Sequence, residues 1–279
     1  MRVLNSDIVV DTCLFSPLQL QPRALFALSF SGLAGWFHAN VCSFPALLGD
    51  HHFGMVFLNL QLKYEQPLGF FDADVIQRSV TVRLLRDGSR VELVCRYSGR
   101  GRNAGTGRSA AVLTALLCPV LIEEAASLAA RPEPFSPAIQ AHFHDSERGA
   151  APSSRVLPGL VKQLEGRGTL LASGEHDFMI HRHMAEVADQ WSFAEIPGIV
   201  ESGREKLVLN QVASHSELAA GLSKPLRCLD VELSRPYFTF DHGKVTTQAY
   251  ALEQELGLVH RLSSTLPGLR QHGVVVERY

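Results

Sequence analysis

Residues that cross-link a chain, anchor it or hold a metal are sparse here and follow no pattern. The five cysteines, Cys13, Cys42, Cys95, Cys118 and Cys228, are scattered, odd in number and never spaced Cys-x-x-Cys. That spacing excludes a disulfide framework or a cysteine zinc knot and predicts free thiols in a reducing compartment. No apolar run approaches the roughly 18 residues of a membrane-crossing helix. The first fifteen residues carry Asn5, Asp7 and Asp11 in place of a long apolar core, so they do not read as a secretory signal. Neither charge sign prevails, with 26 Lys and Arg against 28 Asp and Glu and a net charge of −2, which argues against a nucleic-acid-binding surface over the whole chain. Also missing are a Gly-x-Ser-x-Gly elbow, a phosphate-loop fingerprint and a His-Glu-x-x-His pair. The expectation is a soluble, cytoplasmic protein with no resident metal or cofactor, no nucleic-acid partner and no membrane association.

What is present is ordinary globular material, 46% apolar and 19% charged over 279 residues, enough for one large core or two smaller ones. Ser31 reads as a cap for a helix starting near Gly32, with Leu33, Trp36, Phe37, Val41 and Phe44 on its apolar face and Pro45 ending it. Strands are predicted over 55–63, 75–85 and 90–97, the last two joined at Asp87-Gly88, with a further apolar strand over 110–122. Residues 131–155, rich in Pro, Ser, Ala and charge, read as an interdomain linker. The stretch 174–201 then organises the second half. A polar loop with Asp177 and His181 leads into a helix over 181–196 bearing Met184, Val187, Ala188, Trp191, Ala194 and Ile196, which Pro197-Gly198 breaks. Strands over 206–213, 226–233, 237–240, 244–252 and 258–264 follow.

Both halves therefore read as a loop, an apolar helix and several antiparallel strands, repeated at an offset of about 145 residues. One helix wrapped by such a sheet gives an α+β fold, with domains at 1–130 and 156–279. The pattern Asp177…His181-Arg182-His183 ahead of a helix resembles the hot-dog thioesterases. The first-half run Gly32-Leu33-Ala34-Gly35-Trp36-Phe37-His38, ending Gly49-Asp50-His51-His52, is similar to the first repeat of the double hot-dog proteins of the leinamycin-pathway acyltransferase/decarboxylase group. Ala34-Gly35 stands where that group has Ser-Glu, and Phe53 where it has Trp. The resemblance implies a double hot dog acting on acyl thioesters of coenzyme A or an acyl carrier protein in polyketide or related biosynthesis. Coenzyme A or phosphopantetheine would be part of the substrate. Two such units in one chain reproduce the usual dimer, so the expected state is a monomer or homodimer.

That resemblance directs the choice of site residues. A thioester carbonyl at a helix start would take hydrogen bonds from the backbone at Gly32 and Leu33, and from the backbone near His183 and Met184. Asp177 would serve as general base or nucleophile, and His181 or His183 would orient water or donate a proton. His38 is the helix residue best spaced to look into a tunnel, and Tyr64 is the first-half tyrosine best placed to accept an acyl group. Arg100, Arg102 and Arg108, set among glycines, would grip phosphates or an acidic carrier. The same fold would also suit a dehydratase or isomerase of a carrier-bound β-hydroxyacyl group, or a non-catalytic carrier-binding protein.

Overall fold

The computed structural model describes residues 1–101, 107–124, 129–150, 157–187, 189–211, 213–253, 255–265 and 270–279. The chain divides into two units, Met1–Ser154 and Arg155–Tyr279. Among the described residues no helix is long and apolar enough to cross a membrane.

The first unit runs β1 (Leu4–Val9), α1 (Pro22–Asn40), α2 (Phe44–Gly49), β2 (Phe53–Tyr64), β3 (Val75–Leu85), β4 (Arg90–Arg100), β5 (Arg108–Glu124), β6 (Ala129–Pro132), α3 (Pro137–Gln140) and β7 (Arg148–Gly149). Its main sheet is antiparallel in the order β1-β3-β4-β5-β2. The strands form where the sequence alternates. On β3, Ile76, Val80, Val82 and Leu84 are buried on every second position, as a half-buried strand requires. The expected turn at Asp87-Gly88 is observed, with Asp87 and Gly88 both at positive φ.

Helix α1 starts ten residues earlier than the cap at Ser31 suggests. Pro22 occupies its first turn, where a missing N–H costs nothing and the ring presets the helical φ. Its buried face, Leu25, Phe26, Ser29, Gly32, Leu33, Trp36 and Phe37, follows the helical period. Gly32 sits in the middle of that face. A Cβ there would lie 2.8 Å from a Val80 methyl and 3.4 Å from Arg78, so only glycine lets the helix come this close to β3. The buried Arg78 spans the contact, donating to the Leu28 carbonyl and to Ser6 Oγ at 2.5 and 3.0 Å.

The stretch 131–155 is not the expected linker over its described part. Strand β6 pairs with β5 and β7 pairs with β3. Phe135 and Phe143 are buried against Phe37, at ring-centroid distances of 6.2 Å each, and Phe143 meets Trp36 at 5.6 Å. Its prolines start or flank these short elements, and three aromatic contacts outweigh a polar composition. The segment is locked by Glu147, whose carboxylate takes the Arg2 backbone N–H at 2.7 Å and the Arg2 Nε and Nη2 at 2.8 and 2.5 Å.

The second unit runs α4 (Leu157–Arg167), β8 (Thr169–Met179), α5 (Ile196–Gln211), α6 (Ser216–Leu222), β9 (Cys228–Leu233), β10 (His242–Leu252), β11 (Glu255–Ser264) and β12 (Gln271–Arg278). Its antiparallel order, β8-β10-β11-β12-β9, repeats that of the first unit strand for strand. Helix α5 begins at residue 196 where α1 begins at 22, an offset of 174 residues, not the 145 suggested by the sequence. Pro197 opens α5 instead of ending a helix over 181–196. Its buried residues, Ile196, Ile199, Val200, Gly203 and Leu207, keep helical spacing. Residues 206–211 complete α5 and are not a strand, and 237–240 form a turn. A Cβ on Gly203 would lie 3.2 Å from Val245 and Thr247, so α5 is seated on β10 as α1 is on β3. On the opposite face α4 packs Leu157 and Leu164 against Tyr250, Val259 and Val276.

Burial opposes ionisation of Glu147, but its hydrogen bonds from Arg2 prevail and hold its carboxyl down at about 2. Because that folded value lies below the unfolded one, the pair stabilises the protein above the unfolded pKa and loses its contribution as pH falls toward 2. Glu147→Ala is expected to cost about 3 kcal/mol at neutral pH by stranding a partly buried guanidinium. The gap between wild type and variant should close between pH 5 and pH 2 in thermal unfolding.

Candidate active site

In each unit the chain leaves an edge strand and passes a tight turn and then an isolated bridge on its way to the long helix. In the first unit the turn is Thr12–Leu14 and the bridge Phe15–Leu20; in the second they are Arg182–Met184 and Ala185–Trp191. The second pre-helix segment carries the imidazole candidates, and the strand before it carries Asp177. Ser192 caps a further turn, accepting the Ala194 N–H at 3.4 Å, and α5 follows.

Asp177 lies on β8, opposite Lys244 of β10, and is exposed. The helix it was expected to abut begins nineteen residues later, so it caps nothing. Lys244 Nζ takes its salt bridge from Glu175 at 2.6 Å. That hydrogen bond first, and the charge of Asp177 after it, raise the lysine above its usual value. His181 and His183 flank Arg182 in the turn, exposed, their rings stacked at 5.6 Å and 8°. No hydrogen bond joins Asp177 to either ring among the described residues. The Met184 N–H is spent on the His181 carbonyl at 2.9 Å, which removes it as an oxyanion donor.

The first-unit candidates are dispersed. Gly32 and Leu33 lie in the middle of α1, where backbone N–H groups serve the helix itself, so they offer nothing to a carbonyl. Their role there is packing. His38 stands in the last turn of α1 and faces solvent, not a tunnel. Tyr64, at the end of β2, is buried and its hydroxyl donates to the Leu20 carbonyl at 2.6 Å, which ties down the pre-helix loop and makes it a poor acyl acceptor. Arg100 pairs with Asp7 at 2.7 Å and Arg108 donates to Gln66 at 2.6 Å. Arg102 lies outside the described residues. The two described arginines thus serve separate partners and do not converge.

Two groupings escaped the sequence reading, and both lie in the second unit. The first is a buried ionic network between α5 and the sheet. Arg204 Nη1 bonds Glu277 Oε1 at 2.6 Å, Glu277 Oε2 meets His260 Nε2 at 3.2 Å, and His260 Nδ1 meets Thr247 Oγ1 at 2.9 Å. Burial opposes the charge on Glu277, yet Arg204 and His260 hold its carboxyl down at about 2. The available signal was one histidine inside the apolar strand Leu258-Val259-His260, and Glu201 three residues before Arg204, which pair at 2.8 Å. The second grouping is aromatic. Tyr237 packs against Trp191, Phe178 and His272, and no periodic pattern marks it.

Among the described residues no group of three or more His, Cys, Asp and Glu is arranged to hold a metal ion. A cleft of about 330 Å³ lies between α4 and the outer sheet face, lined by Leu157, Val161, Arg261 and Val274 among others. A polar one of about 670 Å³ is lined by Arg167, Lys224, Arg227 and Glu255 among others. Asp177, His181 and His183 line neither.

No protein family's description matches the chain, and no curated protein matches it in sequence. Solved structures do. An oleoyl thioesterase described from Lactobacillus plantarum superposes with a TM-score of 0.71 at 9% identity, covering 99% of this chain and 95% of its own. An acyl-ACP thioesterase from Bacteroides thetaiotaomicron gives 0.66 at 8% identity, covering 99% and 96%. A 12:0-ACP thioesterase from Umbellularia californica gives 0.64 at 8% identity, covering 99% and 96%. The fold is therefore a double hot dog, two tandem units each with an antiparallel sheet against a central helix.

Arg204→Met should leave Glu277 buried without its cation and cost about 3–5 kcal/mol. Adding Glu277→Leu should recover part of that loss, a non-additivity that a urea-unfolding double-mutant cycle reads directly.

Proposed function

We propose that the protein hydrolyses an acyl thioester carried on coenzyme A or an acyl carrier protein. The observation that carries this reading is the whole-length likeness to three thioesterases of acyl chains. It is joined by a carboxylate on the edge strand of the second unit and two imidazoles in the turn that follows it. In the reaction, water oxygen bonds to the carbonyl carbon, the carbon–sulfur bond breaks, and the thiolate leaves and takes a proton. Asp177 would accept the proton of the attacking water, and His181, with His183 stacked on it, would supply one to the leaving sulfur. An acceptor other than water would make the same step an acyl transfer, and a role in polyketide or other specialised metabolism would follow from the acyl group carried.

A second reading, a non-catalytic protein that binds the carrier, draws on two observations. Asp177 and His181 are exposed and unbonded to one another, and the backbone donors expected at Gly32 and Leu33 are consumed inside α1.

Mass spectrometry of a panel of acyl-CoA and acyl-carrier substrates separates the two. Hydrolysis predicts free acid and free thiol from at least one of them, with Asp177→Asn lowering kcat about 100-fold or more and altering KM little. Substrates that bind and return unchanged would rule out the enzyme and leave the binding protein.

A further inference from the structure

The aromatic grouping of the second unit holds a hydroxyl that no described residue bonds. Tyr237 is wholly buried, and its Oη has no hydrogen-bond partner among the described residues. Buried hydroxyls are nearly always paired, and an unpaired one costs about 1–3 kcal/mol. The ring has little freedom to reach a partner. It stacks on His272 at 3.8 Å and 10°, and meets the edges of Trp191 at 5.0 Å and Phe178 at 5.3 Å. Its own carbonyl accepts the Trp191 N–H at 2.9 Å. His272 is held in turn by the Pro236 carbonyl, 3.0 Å from Nδ1. Burial first, and Asp241 after it, push the Tyr237 phenol up, so the hydroxyl keeps its proton and remains a donor.

The turns around this ring show the opposite oddity, apolar side chains held outward. Val187, Phe238 and Phe240 are 86%, 45% and 56% exposed. Phe240 adopts φ +71°, a left-handed conformation rare for an aromatic residue and a mark of stored strain. The two turns are tied together by the Gln190–Phe238 bridge and by Thr239, whose N–H and hydroxyl both reach Asp189, at 3.0 and 2.5 Å. The Thr239–Asp189 bond lies at the surface, and the Trp191–Tyr237 backbone bond beneath it is a further tie.

We infer that Tyr237 Oη is the hydrogen-bond donor for a carbonyl of an acyl ligand that enters between these turns, its chain received by Val187, Phe238 and Phe240. The ligand class, an acyl thioester or its amide counterpart, rests on the proposed function. The donor itself rests on the unpaired hydroxyl. A bound carbonyl would satisfy the phenol, and an apolar chain would cover side chains that otherwise face water.

The test uses the full chain, Tyr237→Phe, and three probes: octanoyl-coenzyme A, octanamide and coenzyme A. Trp191, edge-on to Tyr237, reports binding by its fluorescence, and Trp191→Phe identifies that signal. The expected result is a response to both octanoyl probes and none to coenzyme A alone, with about tenfold weaker octanoyl binding in Tyr237→Phe. Removing an unpaired hydroxyl should leave the Tm unchanged or higher. A Tm lowered by several degrees would show the hydroxyl satisfied internally, by a buried water, and overturn the inference. So would equal binding by both proteins, or no response to either octanoyl probe. Equal thioester cleavage by wild type and Tyr237→Phe would overturn the inference while hydrolysis stands. Tyr237-dependent octanamide binding without thiol release from octanoyl-coenzyme A would do the reverse.

Discussion

Each unit is organised by how closely its long helix approaches the sheet, and that distance is set where the helix has no side chain. At Gly32 the neighbour is a Val80 methyl, and at Gly203 it is Val245 with Thr247. A larger residue at either point would lift the helix off the strands and open the apolar layer beneath it, because interiors packed to crystal density cannot absorb an added methyl without moving. The strand order, the burial of Leu25, Phe26 and Leu33, and the burial of Ile199, Val200 and Leu207 all presuppose this close approach.

Both units also hold an arginine beneath or beside that helix, and they satisfy it differently. Arg78 bonds a helix carbonyl and serine hydroxyls, neutral partners that need the cation to stay where it is. Arg204 faces Glu277, and the carboxylate passes the interaction on to His260 and Thr247. A buried ion pair adds little net stability once desolvation is counted, but it penalises any packing that separates its members. Arg204 therefore fixes where α5 lies along the strands more than how firmly it is held.

The strands were legible because alternation survives in the letters: 75–85 coincides with β3, and 226–233 and 244–252 fall within two residues of β9 and β10 at each end. The helices are displaced for two different reasons: Ser31 suggests a cap inside α1, and Pro197 suggests an end where α5 begins. Pro22 and Pro197 each sit in a first turn, where proline is favoured. The segment 131–155 reads as a linker because Pro, Ser and charge are also what short capped turns are made of; only the burial of Phe135, Phe143 and Glu147 reveals that its described part belongs to the first unit. The fold class could be read from the helix-and-sheet repeat. The site could not, since Asp177 and His181 keep their spacing whether a strand or a loop carries them. Tyr237, Trp191 and His272 come together from three separate segments that share no local pattern.

The strand order has a consequence for how the chain reaches this state. In both units the third, fourth and fifth strands pair in chain order, with Leu85 facing Arg90 and Leu252 facing Glu255. The second strand docks onto the fifth, so that Phe53 must find Leu121, and the first strand joins the third from outside. Local pairings close at small entropic cost and distant ones late. Those local pairings favour the meanders as nuclei, and β1 and β8, each hydrogen-bonded along one side among the described residues, depend on the longer-range ones. Asp177 stands on one of these. The chain thus carries an exposed carboxylate on a strand held to its sheet by one neighbour, β10.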